Sequence, residues 1–365
     1  MTHSLGLPSD FQPFHGRGSP VNPQNRFERL RCEEEPDIDV GYVEEEERPL
    51  PQTVFLRDPS VSILSKNDSP DIGFTYSVNP YRGCEHGCAY CYARPTHEYL
   101  GLSPGLDFET KILVKTEAPR LLREALGRPG WVPQVVVMSG VTDCYQPAER
   151  RFRITRQCLE VLADFRNPVA IITKNHLVTR DLDVLKELAA HRAVSVTLSI
   201  TSLDPELARR LEPRASLPAR RLAAISALRE AGVPVSVNVA PVIPGLNDHE
   251  ILAIVKAAAE AGASGAGYTL VRLPYAVKDI FAGWLEAHYP QKKEGVLSRI
   301  RSFRGGKMND AEWETRMTGT GVYAENIANL FHVAVERAHF QQRAESVYST
   351  ADFWRGAATG QLDLF

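Results

Sequence analysis

The feature that most limits the fold of this 365-residue chain is an alternation of short apolar runs with amphipathic stretches between residues 72 and 275. Six of the apolar runs have the length and the β-branched composition of buried strands. These runs lie at 74–79, 135–140, 169–175, 194–200, 233–239 and 265–271. The stretches between them, such as 151–165 and 218–232, carry apolar residues at helical spacing. Strands that alternate with helices in this way form parallel β/α units.

The alternation predicts an α/β fold, a partial (β/α)6 barrel of the TIM type over residues 70–275, with its chemistry at the carboxyl ends of the strands. Residues 1–50 are polar, rich in proline and glycine and without regular periodicity, so we expect an irregular or disordered extension. Helical patterns return over residues 276–355 and predict a helical extension. Residues 356–365 are expected to be a flexible tail that ends in an apolar pentapeptide.

Hydropathy and charge narrow the class of protein. No apolar run reaches the roughly 20 residues that cross a membrane, and the first residues lack the charged-then-apolar order of a signal peptide. We therefore expect a cytoplasmic protein without a membrane segment.

The formal charge is −3, but residues 33–47 hold nine acids and no lysine or arginine, which leaves +6 on the remainder. A mildly basic body permits a nucleic-acid partner without requiring one.

Three cysteines lie within eight residues, directly after the first predicted barrel strand. Cys84, Cys88 and Cys91 have the spacing C-x3-C-x2-C, which in a cytoplasmic chain indicates a metal or redox site rather than a disulfide. Thiolates bind iron, and three local ligands leave one iron of a [4Fe–4S] cluster open for catalysis. The alternative is a zinc site with His86 or His97 as a further ligand. The spacing and the position after a strand favour iron and sulfur.

The same residues resemble the defining motif of the radical S-adenosylmethionine (SAM) superfamily, C-x3-C-x-aromatic-C at the first barrel strand. Cys84, Cys88, Tyr90 and Cys91 match it position by position. The resemblance implies a radical SAM barrel in which SAM chelates the open iron. It also implies a flavodoxin- or ferredoxin-type donor, whose electron cleaves SAM to methionine and a 5′-deoxyadenosyl radical that abstracts hydrogen from a substrate. Tyr90 would lie near the adenine.

Further segments resemble the spore photoproduct lyase branch of this superfamily, a group of DNA-repair enzymes and their relatives. The likeness is carried by AYCY at 89–92, SGVTD at 139–143, TK at 173–174 and SITSLD at 199–204. It implies an ion pair between Lys174 and the SAM carboxylate, a contact that suits a fixed ammonium group.

The likeness also implies three polar contacts to SAM. Ser139 and Ser199 are candidates for its amino group and ribose, and Asn238 for the ribose. The alternative for each of them is a hydrogen bond to a loop backbone.

Three residues are candidates for the catalytic hydrogen transfer. In the lyases, tyrosines beside the last cluster cysteine and a cysteine after the second strand return a hydrogen to the product radical. The resemblance therefore implies this role for Tyr90, Tyr92 and Cys144. Cys144 lies a few residues beyond the position at which the lyase cysteine aligns, and the alternative is a small buried core residue.

The last five residues, Gln361–Phe365, resemble the pentapeptide by which bacterial replication and repair proteins bind the sliding clamp. Leu362, Leu364 and Phe365 could fill a hydrophobic cleft while Gln361 fixes the orientation. The alternative is a tail that folds back on its own body.

These features together predict an enzyme that cleaves SAM at a [4Fe–4S] cluster and acts on damaged or modified DNA as a lyase-like repair enzyme. Basic segments at 209–221 and 292–307 could bind phosphates, although such residues are more often solvated or paired. One alternative is a radical SAM enzyme that modifies RNA or a peptide. Another is an iron–sulfur protein that binds DNA or the clamp without turnover.

Overall fold

The computed structural model describes residues 16–28, 52–340 and 348–355, and within these ranges the chain forms ten strands and eleven α-helices. The strands are β1 (Val54–Arg57), β2 (Leu64–Lys66), β3 (Tyr76–Val78), β4 (Tyr81–Arg82), β5 (Lys111–Val114), β6 (Val136–Met138), β7 (Val169–Thr173), β8 (Val194–Ser199), β9 (Val235–Val242) and β10 (Ala266–Leu270). The α-helices are α1 (Leu106–Thr110), α2 (Ala118–Gly127), α3 (Glu149–Phe152), α4 (Ile154–Asp164), α5 (Leu182–Ala190), α6 (Pro205–Leu211), α7 (Pro218–Glu230), α8 (Ile251–Glu260), α9 (Val277–His288), α10 (Lys293–Ser302) and α11 (Val322–Arg337). Short 3-10 helices lie at Arg94–Leu100, His176–Asp181, Asp248–Glu250 and Pro290–Lys292.

Six strands form the parallel sheet that the alternation predicts. β3, β6, β7, β8, β9 and β10 lie side by side in chain order, and β2 is antiparallel to β3 at the outer edge. Parallel strands in chain order with helices between them are the arrangement of a (β/α)6 barrel that stays open between its first and last strands. The predicted fold class is therefore confirmed.

The sheet and its helices bury the apolar positions that the sequence pattern marks. β8 is buried along almost its whole length, as expected for a parallel strand covered on both faces. Helix α8 buries Ile251, Ile254, Val255 and Ala258, which repeat at three- and four-residue intervals along one face. This packing fixes the carboxyl ends of the strands at one edge of the sheet, where the predicted site residues lie.

A second, smaller sheet brackets the cysteine loop. Its order is β1-β5-β4, with β1 parallel and β4 antiparallel to β5. β4 ends two residues before Cys84, and β5 follows helix α1, so the loop leaves and re-enters the same small sheet. None of these three strands was predicted, because runs of two to four residues show little periodicity.

The C-terminal part is helical in α9, α10 and α11 and irregular between residues 303 and 321. The irregular segment bridges the two ends of the large sheet. Leu270 at the end of β10 donates its backbone N–H to the carbonyl of Met317 at 2.9 Å. The neighbouring Arg316 donates from Nε to Oδ2 of Asp71 at 2.5 Å and from Nη2 to Oδ1, and Asp71 lies in the loop before β3. Of the helices in the described ranges, none has the length and hydrophobicity of a membrane-spanning segment.

Candidate functional site

The loop from Cys84 to Cys91 holds three thiols close together beyond the first parallel strand. All three cysteines are free; Cys84 and Cys88 are buried and Cys91 is partly exposed. Burial raises the pKa of each thiol above its usual range, and neighbouring thiolates raise it further for Cys84 and Cys88. Such thiols become stable thiolates when positive charge binds among them, as the irons of a cluster would provide.

The contacts of His86 do not match the zinc alternative, whereas the buried Nδ1 of His97 has no hydrogen-bond partner among the described residues. His86 Nδ1 lies 3.4 Å from a carboxylate oxygen of Asp143, and its Nε2 lies 3.1 Å from the amide nitrogen of Asn175. His97 Nε2 lies 2.9 Å from the carbonyl oxygen of Lys111. Within the described residues, no three His, Cys, Asp or Glu side chains converge on a point that could hold a single metal ion. A cubane takes each cysteine on a different corner, so the three thiols fit a cluster better than one ion.

A fully buried ion pair fixes the middle of the cysteine loop. Arg94 donates to the carbonyl oxygen of Cys88 from Nε at 3.0 Å and from Nη2 at 2.8 Å. Nη2 also contacts Oε1 of Glu109 at 2.5 Å, and Nη1 donates to the carbonyl oxygen of Gly105 at 2.9 Å. Burying two charges is tolerated only when their hydrogen bonds are satisfied, as they are here. The position of the Cys88 backbone is therefore set by the guanidinium group.

The N-terminal segment 16–28 contains no helix or strand and packs on the outside of this loop. The Glu109 carboxylate accepts the backbone N–H groups of Gly18 at 3.1 Å and Ser19 at 2.8 Å. A Cβ atom at Gly18 would come within 1.5 Å of the carbonyl oxygen of Gly87, so only glycine allows this approach. The Glu109 carboxylate thus binds both Arg94, which holds the cysteine loop, and the N-terminal segment that covers this loop.

Tyr90, the aromatic residue of the motif, is held by a second buried pair. Its hydroxyl donates to the carboxylate of Glu212, which also pairs with Arg221 and accepts the Thr201 hydroxyl at 2.5 Å. Arg221 in turn donates to the carbonyl oxygen of Ser199 at 2.9 Å. Burial alone would raise the pKa of Glu212, but Arg221 and Lys174 lower it, so the carboxylate stays charged. Sequence analysis gave no role to this pair.

Much of the basic segment 209–221 is paired and is not a free phosphate site. Arg210 pairs with Glu206, Arg214 with Glu85 at 3.0 Å, and the buried Arg221 with Glu212. The segment instead supports the cysteine loop. Leu211 accepts the backbone N–H of Ala89 at 3.0 Å, and Arg214 donates its own to the carbonyl of His86 at 3.3 Å.

Lys174 follows β7 and points toward the motif tyrosine. Its Nζ lies 6.0 Å from the centroid of the Tyr90 ring. Its backbone N–H donates to Asp143 at 2.8 Å, and the Thr173 hydroxyl donates to the other oxygen of the same carboxylate at 2.8 Å. Burial alone would raise the pKa of Asp143, but the charge of His86 and these hydrogen bonds lower it to about 2. Asp143 therefore ties the loops after β6 and β7 together and places Lys174.

Of the three remaining cofactor candidates, Ser139 and Ser199 lie at the carboxyl ends of β6 and β8, whereas Asn238, expected at the end of its strand, lies in the middle of β9 because that strand continues to Val242. Ser139 has a φ of 80°, and its Oγ accepts the backbone N–H of Cys144 at 2.8 Å. Ser199 is buried and pairs in register with Asn238 on the neighbouring strand. Ser139 thus makes a hydrogen bond to a loop backbone, which was the alternative to a SAM contact. The SAM contacts of all three remain predictions.

The catalytic candidates differ in exposure. Tyr92 is half exposed, and its hydroxyl donates to the carbonyl oxygen of Gly140 at 3.0 Å, at the end of β6. Cys144 is completely buried, its carbonyl accepts the Thr155 hydroxyl at 2.6 Å, and burial raises the pKa of its thiol. Tyr92 therefore faces the opening of the barrel, which lies at the carboxyl ends of its strands. Cys144 lies inside the turn that follows β6.

Comparison with known proteins identifies the family. Residues 78–258 match the family model of the radical SAM superfamily. These residues therefore form a radical SAM domain, a domain that uses a [4Fe–4S] cluster and SAM, and the predicted cofactors are confirmed.

Its relatives in sequence include uncharacterized proteins. One from Mycobacterium tuberculosis strain H37Rv is 41% identical over 230 residues, which cover 62% of this chain and 66% of the relative. One from Methanocaldococcus jannaschii is 28% identical over 232 residues, which cover 64% of this chain and 83% of the relative. The chain thus spans slightly less than two thirds of the mycobacterial protein that it matches.

Solved structures of spore photoproduct lyase share the fold. The lyase complexed with dinucleoside spore photoproduct has a TM-score of 0.57 and 17% identity, and the match covers 78% of this chain and 79% of the lyase. A lyase variant with bound AdoMet and the same dinucleoside has a TM-score of 0.51, 17% identity and coverage of 75% and 77%. At this identity the likeness shows the fold alone.

Proposed function

We propose that this chain is a cytoplasmic radical SAM enzyme that acts on damaged or modified DNA as a repair lyase. The observation that carries the radical SAM part is the placement of three clustered thiols beside Tyr90 and Lys174, at the carboxyl edge of an open parallel barrel. Cys84, Cys88 and Cys91 would hold the cluster. When bound and reduced by a flavodoxin- or ferredoxin-type donor, the cluster supplies the electron that cleaves SAM to methionine and a 5′-deoxyadenosyl radical.

The chain's own residues would position the cofactor and exclude water. The Lys174 ammonium, held through the backbone contact to Asp143, would pair with the SAM carboxylate. Tyr90 is fixed by Glu212, so its ring offers a preset surface for the adenine. Ser139, Ser199 and Asn238 would contact the amino group and the ribose.

We further propose that Cys144, Tyr90 and Tyr92 deliver the hydrogen that quenches the product radical. An S–H bond is weak enough to donate a hydrogen atom to a carbon radical. Tyr92 is the exposed member, so it would meet the substrate, while Cys144 would act from beneath Ser139. Replacement of Cys144 by alanine should leave SAM cleavage intact but change the products; an unchanged product spectrum would make Cys144 a core residue only.

The DNA part of the proposal rests on two resemblances. The lyase that shares the fold binds a dinucleoside photoproduct. The terminal segment Gln361–Phe365 resembles a sliding-clamp motif, but it lies outside the described residues. An RNA or peptide substrate remains the alternative for an enzyme, and a DNA-binding module without turnover is the alternative from another class.

One anaerobic assay separates these alternatives. Reduced, cluster-loaded protein is incubated with SAM and ultraviolet-irradiated DNA, and both 5′-deoxyadenosine and the repaired bases are quantified. The proposal expects both products, and it expects neither from the Cys84→Ala variant. Formation of 5′-deoxyadenosine without any change in the DNA would move the RNA or peptide alternative ahead. Cluster-loaded protein that never cleaves SAM would indicate the module.

A further inference from the structure

Arg272 lies at the carboxyl end of the last strand and reaches toward the cysteine loop. It follows β10 by two residues, and its guanidinium carbon lies 5.4 Å from the centroid of the Tyr92 ring. The hydroxyl of Tyr92 in turn contacts Gly140 at the end of β6. Arg272 therefore stands at the opening of the barrel, one aromatic ring away from the end of β6.

The charge of Arg272 has no direct carboxylate partner among the described residues. Its nearest acid, Asp71, is taken up by the two-pronged contact with Arg316. Its Nη1 contacts the sulfur of Met317 at 3.6 Å, and its Nε is buried without a hydrogen-bond partner in the described part of the chain. Burial and the charge of Arg316 lower the pKa of Arg272, which shows how poorly its charge is compensated.

A third arginine adds to the positive charge and fixes its geometry. Arg304 is almost fully buried and donates to the carbonyl oxygen of Val271 at 2.9 Å and to that of Thr315 at 3.1 Å. It therefore holds the backbone immediately before Arg272 and before Arg316. A buried polar group without a partner costs free energy. A guanidinium group that is held in place without a counter-charge is therefore suited to bind a ligand of opposite charge.

We propose that Arg272, beside Tyr92, binds a phosphate ester of the substrate at the opening of the barrel. The planar guanidinium fork matches two oxygens of a phosphate group, and Arg304 adds attraction at longer range. The proposal rests on the proposed function in that the substrate is a nucleic acid. The same chemistry could come from the phosphodiester of a strand or from the phosphate of a free nucleotide.

The test compares the Arg272→Gln and Arg272→Lys variants of the cluster-loaded protein with the parent. The probe is a fluorescently labelled, short single-stranded oligodeoxynucleotide, and its binding is followed by anisotropy over a series of salt concentrations. Arg123→Gln is the matched control, because Arg123 is an exposed residue of α2 that pairs with Asp164, and its loss removes the same net charge. Thymidine 5′-monophosphate and thymidine serve as competitors, and SAM affinity is measured in parallel.

We expect Arg272→Gln to weaken oligonucleotide binding by about ten- to a hundredfold. The slope of log K against log salt should fall by about 0.7, the value for one lost phosphate contact on a single strand. Arg272→Lys should retain part of the affinity, and Arg123→Gln and SAM binding should be unaffected. Competition by the monophosphate but not by thymidine would assign the site to a nucleotide phosphate, and competition by neither to the strand.

Three outcomes would overturn the inference. Equal affinity and slope in the parent and in Arg272→Gln would remove Arg272 from substrate binding while leaving the proposed function intact. A selective loss of SAM affinity would assign Arg272 to the SAM carboxylate instead. A parent protein that binds neither the oligonucleotide nor the monophosphate would refute the nucleic-acid substrate together with this site.

Discussion

Two regions near the carboxyl edge of the large sheet treat buried charge in opposite ways. Around the cysteine loop, Arg94 pairs with Glu109 and Arg221 with Glu212, and all four side chains are almost fully buried. Beyond the last strand, Arg272 has no carboxylate in direct contact among the described residues, because Asp71 binds Arg316. Paired buried charges with satisfied hydrogen bonds fix backbone positions, whereas an uncompensated charge is available to a ligand.

The difference separates two tasks. Positioning of the thiols and Tyr90 requires rigidity before any substrate arrives, because misplacement of a cofactor by about 1 Å can cost a hundredfold in rate. Recognition of a substrate requires unsatisfied binding capacity, and that capacity must be kept away from the cluster ligands. Changes around the cysteine loop should have effects that decrease from the cluster ligands, through the buried ion pair, to the cofactor contact.

The largest effect is expected from the cluster ligands. Replacement of Cys84, Cys88 or Cys91 by alanine should abolish the cluster, because a [4Fe–4S] centre with only two protein thiolates is not held. The parent should bind about four irons per chain after anaerobic reconstitution, measured by iron analysis and visible absorbance. Cys158→Ala is the control, since Cys158 is buried in α4 among core residues. Stoichiometric zinc without iron–sulfur absorbance would contradict the assignment.

A smaller but still large effect is expected from the ion pair behind the loop. Glu109→Gln leaves Arg94 buried without its counter-charge and should lower the free energy of unfolding by about 3–5 kcal/mol. Urea denaturation of parent and variant measures this difference. Glu124→Gln removes one partner of an exposed pair on α2 and should have almost no effect. A similar small change in both variants would show that the buried pair does not fix the loop.

The next effect concerns cofactor affinity. Lys174→Ala should weaken SAM binding by about ten- to a hundredfold, since a hydrogen bond to a charged group contributes about 1.5–3 kcal/mol. Anaerobic equilibrium dialysis of the cluster-loaded protein measures it, and Lys256→Ala on the exposed face of α8 is the control. Unchanged affinity would reject the contact without affecting the cluster assignment.

The smallest effect on the enzyme itself is expected from its tail. Deletion of Gln361–Phe365 should leave iron content and SAM cleavage unaltered. If the segment is a clamp motif, its deletion should abolish binding to the host's sliding clamp, with a micromolar parent affinity of about −8 kcal/mol. Titration of a labelled tail peptide with the clamp decides the matter; no binding up to millimolar concentrations would remove this argument for a DNA substrate.

The sequence was informative wherever a local pattern sets the structure. Each of the six predicted strands overlaps an observed strand, because apolar runs between helical stretches have few other ways to be buried. The cysteine motif was visible because its members are consecutive in one loop. The contact between Tyr92 and Arg272 depends on how the ends of the sheet meet, which no local pattern encodes.

Other contacts were hidden for different reasons. Polar and glycine-rich composition predicted an irregular N-terminal extension, yet it could not show that Gly18 touches Gly87. Pairing of basic residues in 209–221 with neighbours such as Glu206 and Glu212 was one of the sequence alternatives and is confirmed. The complete burial of Arg221 and Glu212 beside Tyr90 was hidden, because charged residues are usually solvated. Segments 1–15 and 29–51 lie outside the described residues.

The irregular segment between residues 303 and 321, which contacts β10 and the loop before β3, lies outside the part of the chain that the family model matches. The family match ends at residue 258, whereas Arg272, Arg304 and Arg316 all lie beyond it. The cluster cysteines and the three arginines thus lie in different stretches of the sequence. Relatives that keep the first stretch could exchange the second and admit other substrates without disturbing the chemistry behind it.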